Sequence, residues 1–516
     1  MKRRELLKAT VLGSSAALAV MNTKNSNAHE ANDQADVLIV GAGNAGIPAA
    51  IEASDMGAKV ILIDKNAFVG GMLIVSGGHI SGANAKIQMR KNIKDSYEKH
   101  YQDAMRIGKF KADSELLALA TEHAASMIDW LEKIGVEFTD ESPILVDDHD
   151  HYSVPRTYVG VNLARSLLGP LKKELDKRVK RGGLDLKLET KALNLLQDDN
   201  KEIIGVKVRN KNGAALDIFA KTVILASGGY GANKDMKKKF NPKVLSAKWV
   251  GLPHATGDGI NMAQKIGANL SYMDHLISYP GTVFDLKGAP TEISTRLQFP
   301  PKHFTQSIWI NKKGRRFVNE HTTPDNREVA FLDQEELFFY VLFDERMRTK
   351  QDSLDIRNWS SKEMDQAINE GNVIIKTDTI DQLAGKLKIN PKRLSETILK
   401  YNTAIDSNHN DEFGRKEKRL KILQPPYYAF GVGGSVLNTH GGISINSSLE
   451  VIGKNSRVIP GLYAIGETIG NGHLMGEGVV SGMSVGPAIT FGRMVAKTAF
   501  RYAQSKHVSI KNQKPY

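Results

Sequence analysis

Three glycines at fixed spacing, Gly41, Gly43 and Gly46, stand between an apolar run, Asp36-Val37-Leu38-Ile39-Val40, and a helix-compatible stretch from Ile47 to Met56. Such spacing suits phosphate binding. Gly41 permits a tight turn, Gly43 lets the backbone approach a pyrophosphate, and Gly46 allows the helix to pack closely on the strand. The turn, with Asn44 and Ala45 inside it, ends at a helix N-terminus that offers free N–H groups and a positive dipole end. Lys59–Ile63 reads as a second buried strand, and Asp64 closes it, placed to accept from the hydroxyls of a ribose. Glycine spacing alone is a weak signal. A strand before it, a helix after it and an acid ending the next strand make it a dinucleotide site.

Further glycine pairs, Gly70-Gly71 and Gly77-Gly78, lie just beyond the second strand. A matching segment stands at the far end of the chain, where Pro460–Ile465 reads as a strand that ends in Gly466-Glu467, with a helix beginning near Ser484. The chain therefore returns to its first domain after a long excursion. A nicotinamide enzyme needs one crevice and releases its cofactor, whereas a buried flavin draws contacts from both ends of the chain. The expected cofactor is FAD. The sequence holds no Cys, which excludes disulfides, Cys-ligated zinc and iron–sulfur clusters, haem attachment through C-x-x-C-H, and a cysteine nucleophile. Redox chemistry in this chain needs a non-covalent organic cofactor or a partner protein.

The elements that must position these residues fall into a recognisable order. A chain of 516 residues is too long for one compact core, so two or more domains are expected. Helices are expected within 90–180, then strands at Leu186–Leu188, Glu202–Val208 and Thr222–Ala226, then a Pro- and aromatic-rich region over 278–345. Helices return over 361–405, with an N-cap at Ser360 or Ser361. The formal charge of +13 comes from dispersed Lys and Arg with no nucleic-acid motif beside them, so no nucleic-acid partner is expected. Residues 1–28 read as a twin-arginine export signal: Lys2-Arg3-Arg4-Glu5-Leu6-Leu7-Lys8, an apolar stretch from Ala9 to Met21, and a small-x-small site at Ser26-Asn27-Ala28. The apolar stretch is short of the roughly 18–20 residues a membrane span needs, so a periplasmic protein without stable membrane insertion is expected.

Several separate motifs together resemble the FAD subunit of the fumarate reductase and succinate dehydrogenase superfamily. They are Asp36–Gly46, Thr222–Gly229, Thr256-Gly257-Asp258-Gly259, Gly314-Arg315-Arg316-Phe317-Val318-Asn319-Glu320 and Pro460–Glu467. The soluble branch of flavocytochrome c fumarate reductases, urocanate reductases and oxosteroid dehydrogenases is the most similar, over residues 36–505. The resemblance implies an α/β fold with an α+β cap: a two-segment Rossmann-like FAD-binding domain, 36–277 and 439–505, with a capping domain, 278–438, inserted between. It extends the expected FAD contacts to Lys65, Met72, Ser76, Gly77, Gly78, Ala192, Ala226, Ser227, Gly228, Gly229, Thr256, Gly257, Asp258, His440, Ser481, Gly482, Ser484 and Val485. Without Cys there is no haem domain, and no flavin-attachment motif is present. Electrons are expected from a separate protein such as a c-type cytochrome.

The sequence departs from the fumarate reductase pattern at four positions that bind the dicarboxylate or deliver the proton. Pro324 stands where the proton-donating Arg follows Thr-Thr, Tyr279 where the cap begins His-Pro, Asn438 where a His precedes Thr, and Val479 where the last glycine-rich loop carries Arg. Proline donates no proton. Val479 and Asn438 supply no cation, and an unpaired buried carboxylate costs several kcal/mol. The expected substrate is a monoacid or a neutral enone rather than fumarate. Reduction of an activated C=C needs a hydride, a polariser for the carbonyl and an acid for the α-carbon. Tyr279, His440, Glu477, Arg327 and His321 are candidates for these roles. Glu292, in Thr291-Glu292 followed by Arg296, resembles a proton relay. Two other readings stay open: the reverse reaction, desaturating a 3-oxosteroid-like ketone, and a non-catalytic electron-transfer flavoprotein. Asp147-Asp148-His149-Asp150-His151 looks like a ligand cluster but reads as a polar loop, and no metal is expected.

Overall fold

The computed structural model describes residues 34–146, 150–275, 277–285, 287–294, 306–349, 360–416 and 419–506. The expected export signal, Asp147–His149, Arg296 and the Glu292 side chain lie outside the described part.

Two sheets with separate cores organise the chain. In the first, Gln34–Val40 sits centrally and pairs in parallel with Val60–Ile63 on one side and Ala215–Leu225 on the other. Val37, Leu38 and Ile39 are wholly buried. That is why the strand reads as a continuous apolar run, since a parallel strand is covered on both faces. Leu184–Lys187 extends the sheet beyond Val60–Ile63. Val458–Ala464 adds in parallel to Ala215–Leu225, with Leu462 opposite Val223. The chain thus returns to its first sheet, as its terminal glycine segment implies. The helix Gly46–Asp55 follows the glycine turn, and Val485–Ser505 packs against it. Arg493 of the second helix pairs with Glu52 of the first at 3.2 Å. The strand Lys191–Gln197, which the apolar pattern does not announce, forms an antiparallel ribbon with Ile203–Arg209.

The second sheet is mainly antiparallel. Its order is Pro290–Ser294, Tyr279–Phe284, Tyr427–Val436, Phe338–Asp344, Ile308–Asn311, and Ile374–Thr377 also pairs with Tyr427–Val436. The aromatic-rich stretch becomes strands because alternate rings can pack on one pleated face. Trp309, Phe331, Phe339, Phe343 and Phe430 fill this core. The same core takes Val244 and Ala247, and Lys248–Trp249 pairs with Ser435–Val436. The cap therefore draws on a segment from well before residue 278. The helix Ser361–Glu370 starts with a capping box in which Ser360 and Glu363 satisfy each other's backbone N–H.

Candidate active site

The glycine turn, the ends of the parallel strands and Gly466-Glu467 line a cleft. Its walls include Gly41, Gly43, Asn44, Ala45, Asp64, Lys65, Gly71, Met72, Ala192, Ala226, Ser227, Gly228, Asp258, Gly466 and Glu467, all expected cofactor contacts. Thr190, Leu252 and His254 also line it. These lie outside any glycine motif, so their types alone carry no signal. Gly41 has φ +110°, and a Cβ there would collide with the Ala226 carbonyl oxygen. A Cβ on Gly46 would strike the Gly41 carbonyl. Both glycines are therefore required sterically, as the motif implies.

Asp64 braces the turn as well as facing the cleft. Its carboxylate accepts from the N–H of Ala42 and of Asn66, each at 2.8 Å. Lys65 donates to Asp258 and to the Thr256 hydroxyl, each at 2.7 Å, tying the second strand to the helix that opens at Gly257. Glu467 accepts from the Thr439 N–H at 2.7 Å and its hydroxyl at 3.0 Å. Burial lifts the Glu467 carboxyl to about 7, with the Thr439 hydrogen bonds opposing. No cation approaches it closely among the described residues. A proton-bearing or hydroxyl-bonded carboxyl facing the cleft suits the polyol chain of FAD.

Other expected cofactor residues sit around the cleft rather than in its wall. Gly70 donates its N–H to Ala42 at 2.7 Å, and Ser76 accepts from the Gly78 N–H at 3.0 Å, which sets the Gly77-Gly78 turn. Gly229 packs under Glu467 and Thr439. Ser481 and Gly482 precede the helix that begins at Val485 after Ser484. The Ser481 carbonyl accepts from Ser81 at 2.8 Å and Tyr152 at 2.5 Å, and its hydroxyl accepts from Thr157 at 3.1 Å. Next to these hydroxyls Arg156, fully buried, bonds Asp95 and Asp103, each at 2.8 Å. The sequence gives no hint of this network, because its members lie far apart along the chain.

Beyond Glu467, three segments gather. Residues 438–442 run beside 469–476: the Asn471 N–H donates to Thr439 O and the Gly472 N–H to His440 O, both at 3.0 Å. The Glu477 N–H donates to Gly108 O at 3.3 Å, and the adjoining Lys109 pairs with Asp325 at 3.2 Å. Asp325 sits in the first turn of the cap helix Pro324–Leu332, so this ion pair brings that helix to the last glycine-rich loop. Pro324 is the first residue of the helix, after the Thr323 N-cap. Arg327 lies one turn further, buried, with Nη1 3.4 Å from Glu320 O. Burial lowers its guanidinium to about 10. His440 is buried, and the same desolvation drives its imidazole down to about 4.

The remaining candidates are placed differently. Tyr279 is buried at the start of the cap strand opposite Ser435. His321 is half-buried in the turn before the cap helix. Glu477 is exposed, 3.3 Å from His275. Glu292 stands in the strand paired with Tyr279–Phe284. Arg316 is structural: with Arg415 it encloses Glu320, and it also bonds Asp411 at 2.7 Å. Burial alone would raise the Glu320 carboxyl, and the two guanidiniums overcome it, holding it at about 2.

A largely parallel sheet with a dinucleotide cleft at its strand ends, joined to a second, mainly antiparallel sheet with its own core, is the architecture of a flavoprotein oxidoreductase. The family described as FAD binding domain matches residues 36–483, and the chain belongs to it. It is 31% identical over 477 residues to a probable fumarate reductase of Shewanella frigidimarina, covering 92% of this chain and 76% of that one. It is 33% identical over 478 residues to a urocanate reductase of Eggerthella lenta, covering 90% and 74%. The open conformation of a flavocytochrome c3 fumarate reductase superposes with a TM-score of 0.72 at 30% identity, covering 91% of this chain and 79% of the other. The chain is an FAD-dependent oxidoreductase acting on CH–CH or C=C bonds. Among the described residues no helix is long and apolar enough to cross a membrane.

Proposed function

We propose that this protein is a periplasmic reductase of an activated C=C bond in an unsaturated organic acid or enone other than fumarate. Its electrons come from a separate donor such as a c-type cytochrome, and the twin-arginine leader directs its export. One observation carries the reading. The cap helix that starts with Pro324, instead of a proton-donating Arg, buries Arg327 one turn later with its guanidinium lowered to about 10. FAD, when bound and reduced, supplies the hydride. Arg327 protonates the α-carbon of the substrate, since desolvation makes it a stronger acid than in water. Tyr279 and His440 hold the carbonyl as negative charge grows on it. The cap keeps water from the reacting carbons.

The test uses holoenzyme reduced anaerobically with dithionite and followed by flavin absorbance. Methacrylate, crotonate, urocanate, cinnamates or steroid enones are expected to reoxidise it fast, and fumarate is not. Removal of a general acid typically costs about 10²–10⁴-fold in rate, so Arg327→Ala slows reoxidation by that order, while Arg327→Lys restores part of it and shifts the pH profile downward. Fastest reoxidation by fumarate refutes the reading. If nothing reoxidises the flavin, oxidised enzyme with saturated ketones tests the reverse reaction.

A further inference from the structure

The turn that follows the helix Tyr97–Ile107 is strained and braced on two sides. Lys109 and Phe110 both take a left-handed backbone, each with φ +57°, a region that residues other than glycine seldom enter. The Lys109 N–H donates to Arg106 O at 3.1 Å and the Phe110 N–H to Met105 O at 2.8 Å, which closes the turn. On one side it lies against the last glycine-rich loop. The Asp113 N–H donates to His473 O at 2.9 Å, and the Glu477 N–H to Gly108 O at 3.3 Å. A Cβ on Gly476 would strike Gly108 O, and one on Gly478 would strike Ile107 O. The two backbones are therefore in direct contact. On the other side the Lys109 ammonium meets Asp325, in the first turn of the cap helix, at 3.2 Å. Strained backbone persists only where the surroundings over-determine it, and it gathers at functional positions.

Resting on the C=C reductase reading, we propose that Lys109 is a positioning residue: its ion pair with Asp325 seats the cap helix on the last glycine-rich loop and so sets where Arg327, on the same helix, meets the substrate.

The charges around the pair show why a cation belongs there. Burial raises the Asp325 carboxyl, Lys109 opposes the rise, and Asp150 adds to it. Asp150 lies outside the cap, and its loop is fixed in place. Arg106 donates to His151 O at 2.6 Å, and the Ser153 N–H donates to Asp103 at 2.7 Å. One Asp150 oxygen is buried with no hydrogen-bond partner. Without Lys109, Asp325 and Asp150 would repel each other, and the cap helix would lift. Asp325 and Arg327 are two residues apart in one helix, so a shift of the first carries the second.

Hydrogen exchange of residues 324–332 in oxidised holoenzyme reads this seating with no substrate present. A partly exposed ion pair shifts an equilibrium by up to about five-fold. Lys109→Ala loses the pair and leaves the repulsion, so it is expected to exchange about five-fold faster. Asp325→Asn removes both and changes less. The reversed pair, Lys109→Asp with Asp325→Lys, returns most of the protection. Lys111→Ala, at an exposed position of the same turn, is expected to change nothing, and FAD content per chain reports folding.

The second readout is reoxidation of dithionite-reduced flavin by whichever of methacrylate, crotonate, urocanate, cinnamate or a steroid enone reoxidises the unaltered protein fastest. A misplacement of about 1 Å can cost up to 10²-fold. Lys109→Ala is expected to slow the saturated rate about ten-fold, with the half-saturating concentration within about two-fold. Lys109→Arg and the reversed pair recover most of the rate. Unchanged exchange in Lys109→Ala, or no recovery in the reversed pair, overturns the proposal. Faster exchange with an unchanged rate overturns the positioning role. If no probe reoxidises the unaltered protein, the reductase reading falls and the positioning role with it, while exchange still tells whether the ion pair seats the helix.

Discussion

Replacing Glu467 by Gln removes an ionisation while keeping the shape and the acceptor that Thr439 uses. In the ligand-free fold this carboxyl titrates near 7, because burial opposes its charge more than the two Thr439 hydrogen bonds favour it. The unfolded chain releases the same proton near the ordinary value of 4.5. Between these values the folded state holds a proton that the unfolded state has lost, so stability falls as pH rises through this window and levels off above 7. A shift of this size corresponds to roughly 3 kcal/mol at about 1.4 kcal/mol per unit. Glu467 is partly open to the cleft, and solvent there trims the effect to about 2 kcal/mol. The assay is urea denaturation of the flavin-stripped chain at pH 4.5, 6, 7 and 8, roughly spanning the window. The two proteins are expected to match near pH 4.5, and the Gln variant is expected to be the more stable by about 2 kcal/mol at pH 8. A constant difference across the series would place Glu467 in the ordinary carboxylate range and refute the argument from burial.

Two further perturbations test the frame around the site. Gly41→Ala drives a methyl into the Ala226 carbonyl at a φ of +110°, so the purified variant should carry little FAD by absorbance ratio while Gln34→Ala, at the exposed outer end of the same strand, keeps it. Glu320→Gln removes the buried carboxylate that Arg316 and Arg415 share, leaving two guanidiniums with Asp411 as the carboxylate still bonded to Arg316. Breaking such a network costs about 3–5 kcal/mol, to be seen as a lower melting temperature by calorimetry. Glu320 is held near 2 in the fold, so its contribution in the unaltered protein is complete above pH 4.5 and fades as pH falls toward 2, and the gap between the two proteins should narrow over that range.

Local rules carried much of this protein. The turn at Gly41–Gly46 demands glycine for reasons of φ and close approach within a few residues, and the strands flanking it are apolar because both faces of a parallel sheet are covered. The Ser360 capping box is likewise written in four consecutive residues. FAD follows from such motifs, the capped two-segment fold and the C=C-directed chemistry from the family resemblance they carry together, and the absence of Cys limits the rest. Side chains that act across the chain were beyond reach of the pattern. Arg415 joins Glu320 from 95 residues away, Thr439 meets Glu467 from 28, and Tyr152 holds the Ser481 carbonyl from 329. Nothing in the composition of those segments encodes the partner, because a hydrogen bond between distant residues exists only once the packed core has set their loops side by side. The same holds for the burial that shifts Glu467, Arg327 and His440: residue type fixes the ordinary acidity, and only the packed fold decides how much water is removed around it.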